Sequence, residues 1–264
     1  MDQIVADANA GKVDAVLVDG KPPTQWLPQF NALLAKKIPV GDWAIPDDPS
    51  YEDKLTTITQ SLDTGTGDIE GYAVDWMIAD AGGPVNAVGF TIPSYPVLKV
   101  VGDAFKSEFQ KRCPESAGCQ VDLQNLDLAG LGSTMPGAIV SYLQAHPKVK
   151  YVFLDFSDMM IGVPAALNAA GITGVKFVSQ SADQGTAANI RSGAESAEFT
   201  YPFALIYRVM LDALARAMLG KSTAASKGWK FPTQLMDKSN VDGGTFNPDG
   251  TTNPPGVQEF FKGI

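Results

Sequence analysis

The chain alternates between short runs of consecutive apolar residues and longer stretches in which apolar positions recur every three or four residues. The first pattern predicts buried strands and the second amphipathic helices. Strands are expected over 13–18, 38–42, 85–90, 120–126, 150–155 and 175–179. Helices are expected over 25–36, 69–80, 97–109, 136–145, 159–170 and 203–219. The last is the clearest, with Phe203, Ile206, Tyr207, Met210, Leu211, Leu214 and Met218 on one face. Gly171 and Gly220 stand where two of these helices should stop, a position that favours glycine. Strands separated by helices imply parallel sheets with right-handed crossovers, an α/β fold. No solenoid repeat interrupts this order. Residues 242–255, rich in Gly, Asn, Thr and Pro, read as a loop or a loosely packed strap.

Composition narrows the partners. With 264 residues and a net charge of −9, the chain lacks the clustered cations that phosphate binding needs. No nucleic-acid partner is expected, nor docking on an anionic membrane. No apolar run is long enough to span a bilayer, and no signal peptide is visible at Met1-Asp2-Gln3.

Cys113 and Cys119 enclose Pro-Glu-Ser-Ala-Gly, a spacing that suits a turn closed by a disulfide worth about 2 kcal/mol. The alternative is two unpaired surface thiols. A disulfide would put the chain outside the cytoplasm. His146, the only histidine, falls in a loop at the amino end of a strand and reads as a surface residue. Without a second His or another Cys, neither a metal site nor a Ser-His-Asp or Cys-His centre is expected. The run Asn247-Pro248-Asp249-Gly250-Thr251 lacks the first and twelfth acids of a calcium loop. Gly65-Thr66-Gly67 lacks the Gly-Lys-Ser/Thr of a phosphate loop. Neither metal nor cofactor is expected.

Ligands of open parallel sheets sit beyond the carboxyl ends of the strands. The residues there are Asp19-Gly20, Asp42-Trp43, the loop 91–95, Phe156-Ser157-Asp158, Gln180-Ser181 and Thr200-Tyr201. They supply aromatics, hydroxyls, an amide and carboxylates, with no His, Cys or Arg. Trp43 offers a flat apolar face beside the Asp42 carboxylate, or else it packs between two halves of the molecule. Ser94 and Tyr95 lie in a loop stiffened by two prolines, which lowers the entropic cost of binding.

At these residues the chain resembles the ribose-binding-like, type I periplasmic solute-binding proteins. Val13-Asp14-Ala15-Val16-Leu17-Val18 looks like that family's third strand. Ala35-Lys36-Lys37-Ile38-Pro39-Val40, Gly171-Ile172 and Tyr201-Pro202 fit it in order and spacing, and the similarity runs from about Asp2 to Val241. The resemblance implies two Rossmann-like lobes with parallel sheets, joined by crossover hinge strands. One lobe would hold 1–62 and 202–234, the other 63–201 and 235–264. It also implies that Phe156, Ser157 and Asp158 reach the cleft, Ser157 or Asp158 doubling as a helix cap. Gln180, Ser181 and, beside the hinge, Tyr201 would join them, unless Tyr201 is a core residue.

Two departures qualify the resemblance. The family's opening strand–helix–strand has no counterpart before Met1, so the first lobe is expected to be incomplete and the chain a fragment. Many relatives carry an arginine after the strand matching 85–90. Here that loop reads Thr91-Ile92-Pro93-Ser94-Tyr95-Pro96, with Lys99 nearby, which weakens the case for a sugar. The implied function is extracytoplasmic capture of a sugar or similar small polar molecule by a monomer that delivers it to an ABC permease. The alternative is the effector-sensing domain of a LacI-type transcription regulator. An enzyme is the least favoured reading.

Overall fold

A computed structural model describes residues 1–61, 66–182, 185–226, 231 and 233–242. The chain opens with helix α1 (Asp2–Asn9), then builds a parallel sheet from β1 (Val16–Asp19), β2 (Val40–Ile45) and β3 (Thr57–Ser61), in that order across the sheet. Val16 pairs with Val40 and Gly41 with Thr57. Helix α2 (Leu27–Ala35) joins β1 to β2, and its Phe30 and Leu33 are buried with Val40, Ile45 and Leu55.

The second sheet has the order β5-β4-β6-β7-β8-β9. Its strands are β4 (Asn86–Thr91), β5 (Gln120–Asn125), β6 (Tyr151–Leu154), β7 (Lys176–Gln180), β8 (Ala197–Thr200) and β9 (Gln234–Asp237). They pair in parallel except β9, which runs antiparallel to β8. Helices α3 (Thr66–Ala81) and α4 (Pro96–Arg112) bury Met77, Phe105 and Phe109 in one core with Phe153 of β6. The Phe105 and Phe153 rings stack with centroids 4.4 Å apart. Helices α5 (Met135–Ala145) and α6 (Val163–Ala169) bury Ile139 and Val163 with Val152 and Leu154 in another core. A further short helix, α7 (Thr186–Ser192), follows β7.

After β8 the chain returns to the first sheet. Helix α8 (Phe203–Met218) lays Met210 and Leu214 over Gly41, where an added Cβ would meet both at 3.6 Å. Those are ordinary contact distances; the tighter neighbour is Thr57 of β3, whose Cγ2 would lie 3.0 Å from the added atom. Ile206 and Met210 are buried in one core with Trp43 of β2 and Phe105 of α4, so this helix ties the two sheets together. Gly220 ends α8 with φ +66°, while Lys221 donates its N–H to Arg216 and Gly220 to Ala217. This is the pair of hydrogen bonds that closes a glycine-terminated helix. Gly171 ends α6 in the same way.

Several expected elements shift. The strand expected over 38–42 begins at Val40 and runs on to Ile45. The helix expected over 159–170 breaks into a 3-10 turn, Ser157–Met160, and α6, separated by Gly162 at φ +81°. β3, β8, β9, α1 and α7 are additions that the pattern did not predict. The strap over 242–255 lies outside the described residues beyond Asp242. Cys113 and Cys119 are bonded, with Cα atoms 5.6 Å apart, and tie the end of α4 to the start of β5.

The sheet edges differ in kind. Gln120 and Leu126 donate their N–H groups toward β4, so the alternate residues Val121, Leu123 and Asn125 turn theirs to the open edge of β5. The Leu123 N–H is taken by Asp122 Oδ1 at 2.8 Å. The other oxygen of Asp122 accepts the Tyr142 hydroxyl at 2.8 Å and the Gln124 amide at 2.6 Å.

Candidate functional site

The carboxyl ends of β1 and β2 face those of β4, β6 and β7 across a cleft of ≈ 570 Å³. Parallel packing dictates this place, because the chain leaves every parallel strand at the same end and the loops gather there. Asp19 comes from the end of β1, Trp43 and Ala44 from β2, and Tyr95 from the loop after β4. Phe156, Asp158 and Ser181 follow β6 and β7, and Phe203 and Tyr207 come from the first turns of α8. Three non-glycine residues among those described have positive φ, and two of them line this cleft, Ala44 at +54° and Ser181 at +65°. Left-handed backbone at such residues costs of order 1–3 kcal/mol each and tends to gather where ligands bind.

On the first-sheet side, Trp43 stands edge-on to Phe203 and Tyr207, with ring centroids 5.4 and 6.1 Å away. The Tyr207 hydroxyl donates to Asp19 Oδ2 at 2.9 Å. Asp19 is reachable by solvent, yet the walls around it raise its pKa against the lowering effect of Tyr207. Burial, aided by the Asp19 charge, pushes Tyr207 up to about 12. Behind Trp43, Asp42 is fully buried. Its Oδ1 accepts the Trp43 N–H at 2.9 Å, and its Oδ2 has no hydrogen-bond partner among the described residues. Burial pushes its pKa up to about 8, so it is chiefly a neutral acid at neutral pH.

The expected residues thus fall into two groups. Trp43, Tyr95, Phe156, Asp158 and Ser181 line the cleft. Asp42, Ser157, Gln180 and Tyr201 lie buried behind its walls, and Ser94 is an exposed neighbour of Tyr95. The buried group braces the others. Ser157 donates to the carbonyls of Gln180 and Ser181 at 3.2 and 2.9 Å, holding the end of β7. The Tyr201 hydroxyl donates to Gln180 Oε1 at 2.9 Å. Asp155 has a structural place, its Oδ2 accepting the Ile92 N–H at 3.0 Å. Deeper still, the Ser179 hydroxyl bridges the buried carboxyls of Glu195 and Glu198. Burial, then the Glu195 charge, raises Glu198 well above the usual range. Phe203 and Tyr207 were not expected in the cleft. Their signal lay in the same apolar face that marked α8 as a core helix, with no polar break to separate the two roles.

A second cleft of ≈ 650 Å³ lies at the opposite, amino end of β4 and β5, lined in part by Cys113, Tyr142 and His146. His146 stacks on Tyr142 with centroids 4.1 Å apart and is exposed, as its loop position implied. No group of His, Cys, Asp and Glu arranged to hold a metal ion occurs among the described residues.

No family model matches the chain, and no curated protein matches it. Solved structures do. A carbohydrate transporter from Acidothermus cellulolyticus 11B in complex with myo-inositol superposes with a TM-score of 0.73 at 17% identity, over 91% of this chain and 80% of that one. An ABC transporter solute-binding protein from Agrobacterium vitis bound with alpha-D-tagatopyranose gives 0.74 at 19% identity, over 98% and 83%. A putative LacI transcriptional regulator from Bacteroides fragilis gives 0.73 at 15% identity, over 91% and 81%. The chain has the α/β fold of the type I periplasmic binding proteins, as the resemblance implied.

Proposed function

We propose that this protein is an extracytoplasmic solute-binding component of an ABC importer, capturing a sugar or a sugar-like molecule. The observation that supports this best is the cleft between the carboxyl ends of two parallel sheets, walled by aromatic rings and carboxylates. Rings desolvate the C–H faces of a polyol, and carboxylates accept its hydroxyls. Three solved neighbours of the same fold hold myo-inositol, D-fucose and tagatopyranose. The lobes would be 1–62 with 202–234 and 63–201 with 235–264, closing on the ligand as a monomer. The closed form would then dock on a membrane permease. Closure follows when the solute touches both walls and so favours the closed state. The protein works by binding and release, without turnover, at the periplasmic or cell-surface side of the membrane.

A thermal-shift screen against myo-inositol, D-fucose, D-tagatose and a wider set of hexoses, pentoses and cyclitols tests this. A saturable rise in Tm is expected, about 2.7 kcal/mol of stabilisation at a hundred times Kd. A flat response across the set, with a cooperative melt, would remove the solute-capture reading. The regulator reading is supported by the LacI neighbour. It predicts a reduced Cys113–Cys119 pair in protein taken from its native cell.

A further inference from the structure

The cleft has a distinctive charge balance, and that balance selects among solutes. Trp43, Tyr95, Phe156, Phe203 and Tyr207 put five aromatic side chains around it. Asp19 and Asp158 add two carboxylates from opposite walls, one ending β1 and the other following β6. Among the described residues, no Lys, Arg or His lines it. Lys99, a turn into α4 from Tyr95, is held instead by Asp103 in an exposed ion pair. Aromatic faces attract cations through their ring quadrupoles, and carboxylates attract them directly. Both features point to the same kind of ligand and arise from different residues.

We infer that the solute carries a protonated amine on a polyol ring, as in an amino sugar or aminocyclitol, with the ammonium group held by Asp19 and the ring faces held by the aromatic walls. The inference rests on the solute-capture reading of this cleft and narrows it. Tyr207 already donates to one oxygen of Asp19, which orients the carboxylate toward the cleft it lines. Burial raises the pKa of Asp19 against the hydrogen bonds from Tyr207 and Trp43, so a cation beside it would relieve the cost of its charge. Asp42 lies behind Trp43 with its proton retained, so it adds little further charge to that wall. A ligand carboxylate or phosphate would meet the Asp19 charge and, among the described residues that line the cleft, no cation. A neutral sugar would be accepted, but without the charge-assisted bond, which is stronger than its neutral counterpart.

The test is isothermal titration with matched sets: D-galactose, D-galactosamine, N-acetyl-D-galactosamine and D-galacturonate, and the corresponding glucose set. In the parent protein the amine is expected to bind at least 10-fold more tightly than its neutral parent. The N-acetyl form should lose that gain, and the uronate should not bind. In Asp19→Asn the amine and the neutral sugar should come to parity, with an unchanged circular dichroism spectrum. If Asp19→Asn fails to fold, Asp158→Asn supplies the second measurement and should narrow the preference. A neutral sugar or uronate binding as tightly as its amine would overturn the inference while leaving solute capture standing. No binding by any member, nor by myo-inositol, D-fucose or D-tagatose, would overturn both.

Discussion

Asp42 is a carboxyl group sealed behind an indole, and its titration belongs to the folded state. Its pKa rises from 3.8 in the open chain to about 8 in the fold because burial penalises the charge. Between those values the folded chain binds the extra proton, so its stabilising effect is full in acid and is lost as pH rises through about 8. Asp155 and Glu198, raised for the same reason, act in the same direction. Asp80 and Asp122 act oppositely at low pH, because the hydrogen bonds they accept outweigh their burial and lower them. The protein should therefore be more stable to denaturant near pH 5 than near pH 8. Asp42→Asn should recover part of the difference at pH 8 and change little at pH 5, as urea titrations at the two values would show. An equal effect at both would mean that Asp42 does not titrate. At this scale the sequence told where polar strand-end residues gather but not which way each points. A strand alternates its side chains, so extending β2 from an expected end at 42 to Ile45 turned Asp42 from an end residue into an interior one.

Elements with a strong period were legible, and those made by partnership were not. α4 and α8 announce themselves through one continuous apolar face each. β3, reading Thr57-Ile58-Thr59-Gln60-Ser61, has too few apolar residues to form a run, and it exists because β2 offers it a parallel ladder. β5 shows the other side of such an offer. An edge strand invites a further strand, and proteins blunt that invitation with charge. Asp122 occupies the outward N–H of Leu123 and is itself tied to Tyr142, so one of the three outward donors of the edge is blunted from within its own strand. Asp122→Ala should reopen it, and light scattering after size exclusion should show concentration-dependent self-association absent from the parent. A variant that stays monomeric at high concentration would show that the edge is protected by something else.

The whole molecule is one continuous arrangement of two sheets whose cores meet at α8. Among the described residues, the chain passes between the sheets through Thr200-Tyr201-Pro202 into Phe203. Crossings that lie beside a cleft make natural hinges, because a few backbone angles there move everything beyond them. Saturation with a ligand found by the screen should lower the radius of gyration measured by X-ray scattering. An unchanged radius with proven binding would mean that the cleft is already closed. Parallel sheets were legible because alternating strands and helices allow few topologies, whereas their division into two came from the resemblance. The return of α8 to the first sheet came only from the resemblance, because no local pattern encodes a contact with Gly41 so far back along the chain.

That return has a consequence for how the protein comes into being. The face of the first sheet at Gly41 and Thr57 is complete only when Met210 and Leu214 lie on it. During synthesis at about 5–20 residues per second, the ribosome needs on the order of ten seconds or more to make the chain from β3 to α8. For that interval the first sheet stands half-roofed while the second is being built beyond it. The order of completion thus departs from the order of synthesis: the sheet begun first waits for a helix made after five strands of the other.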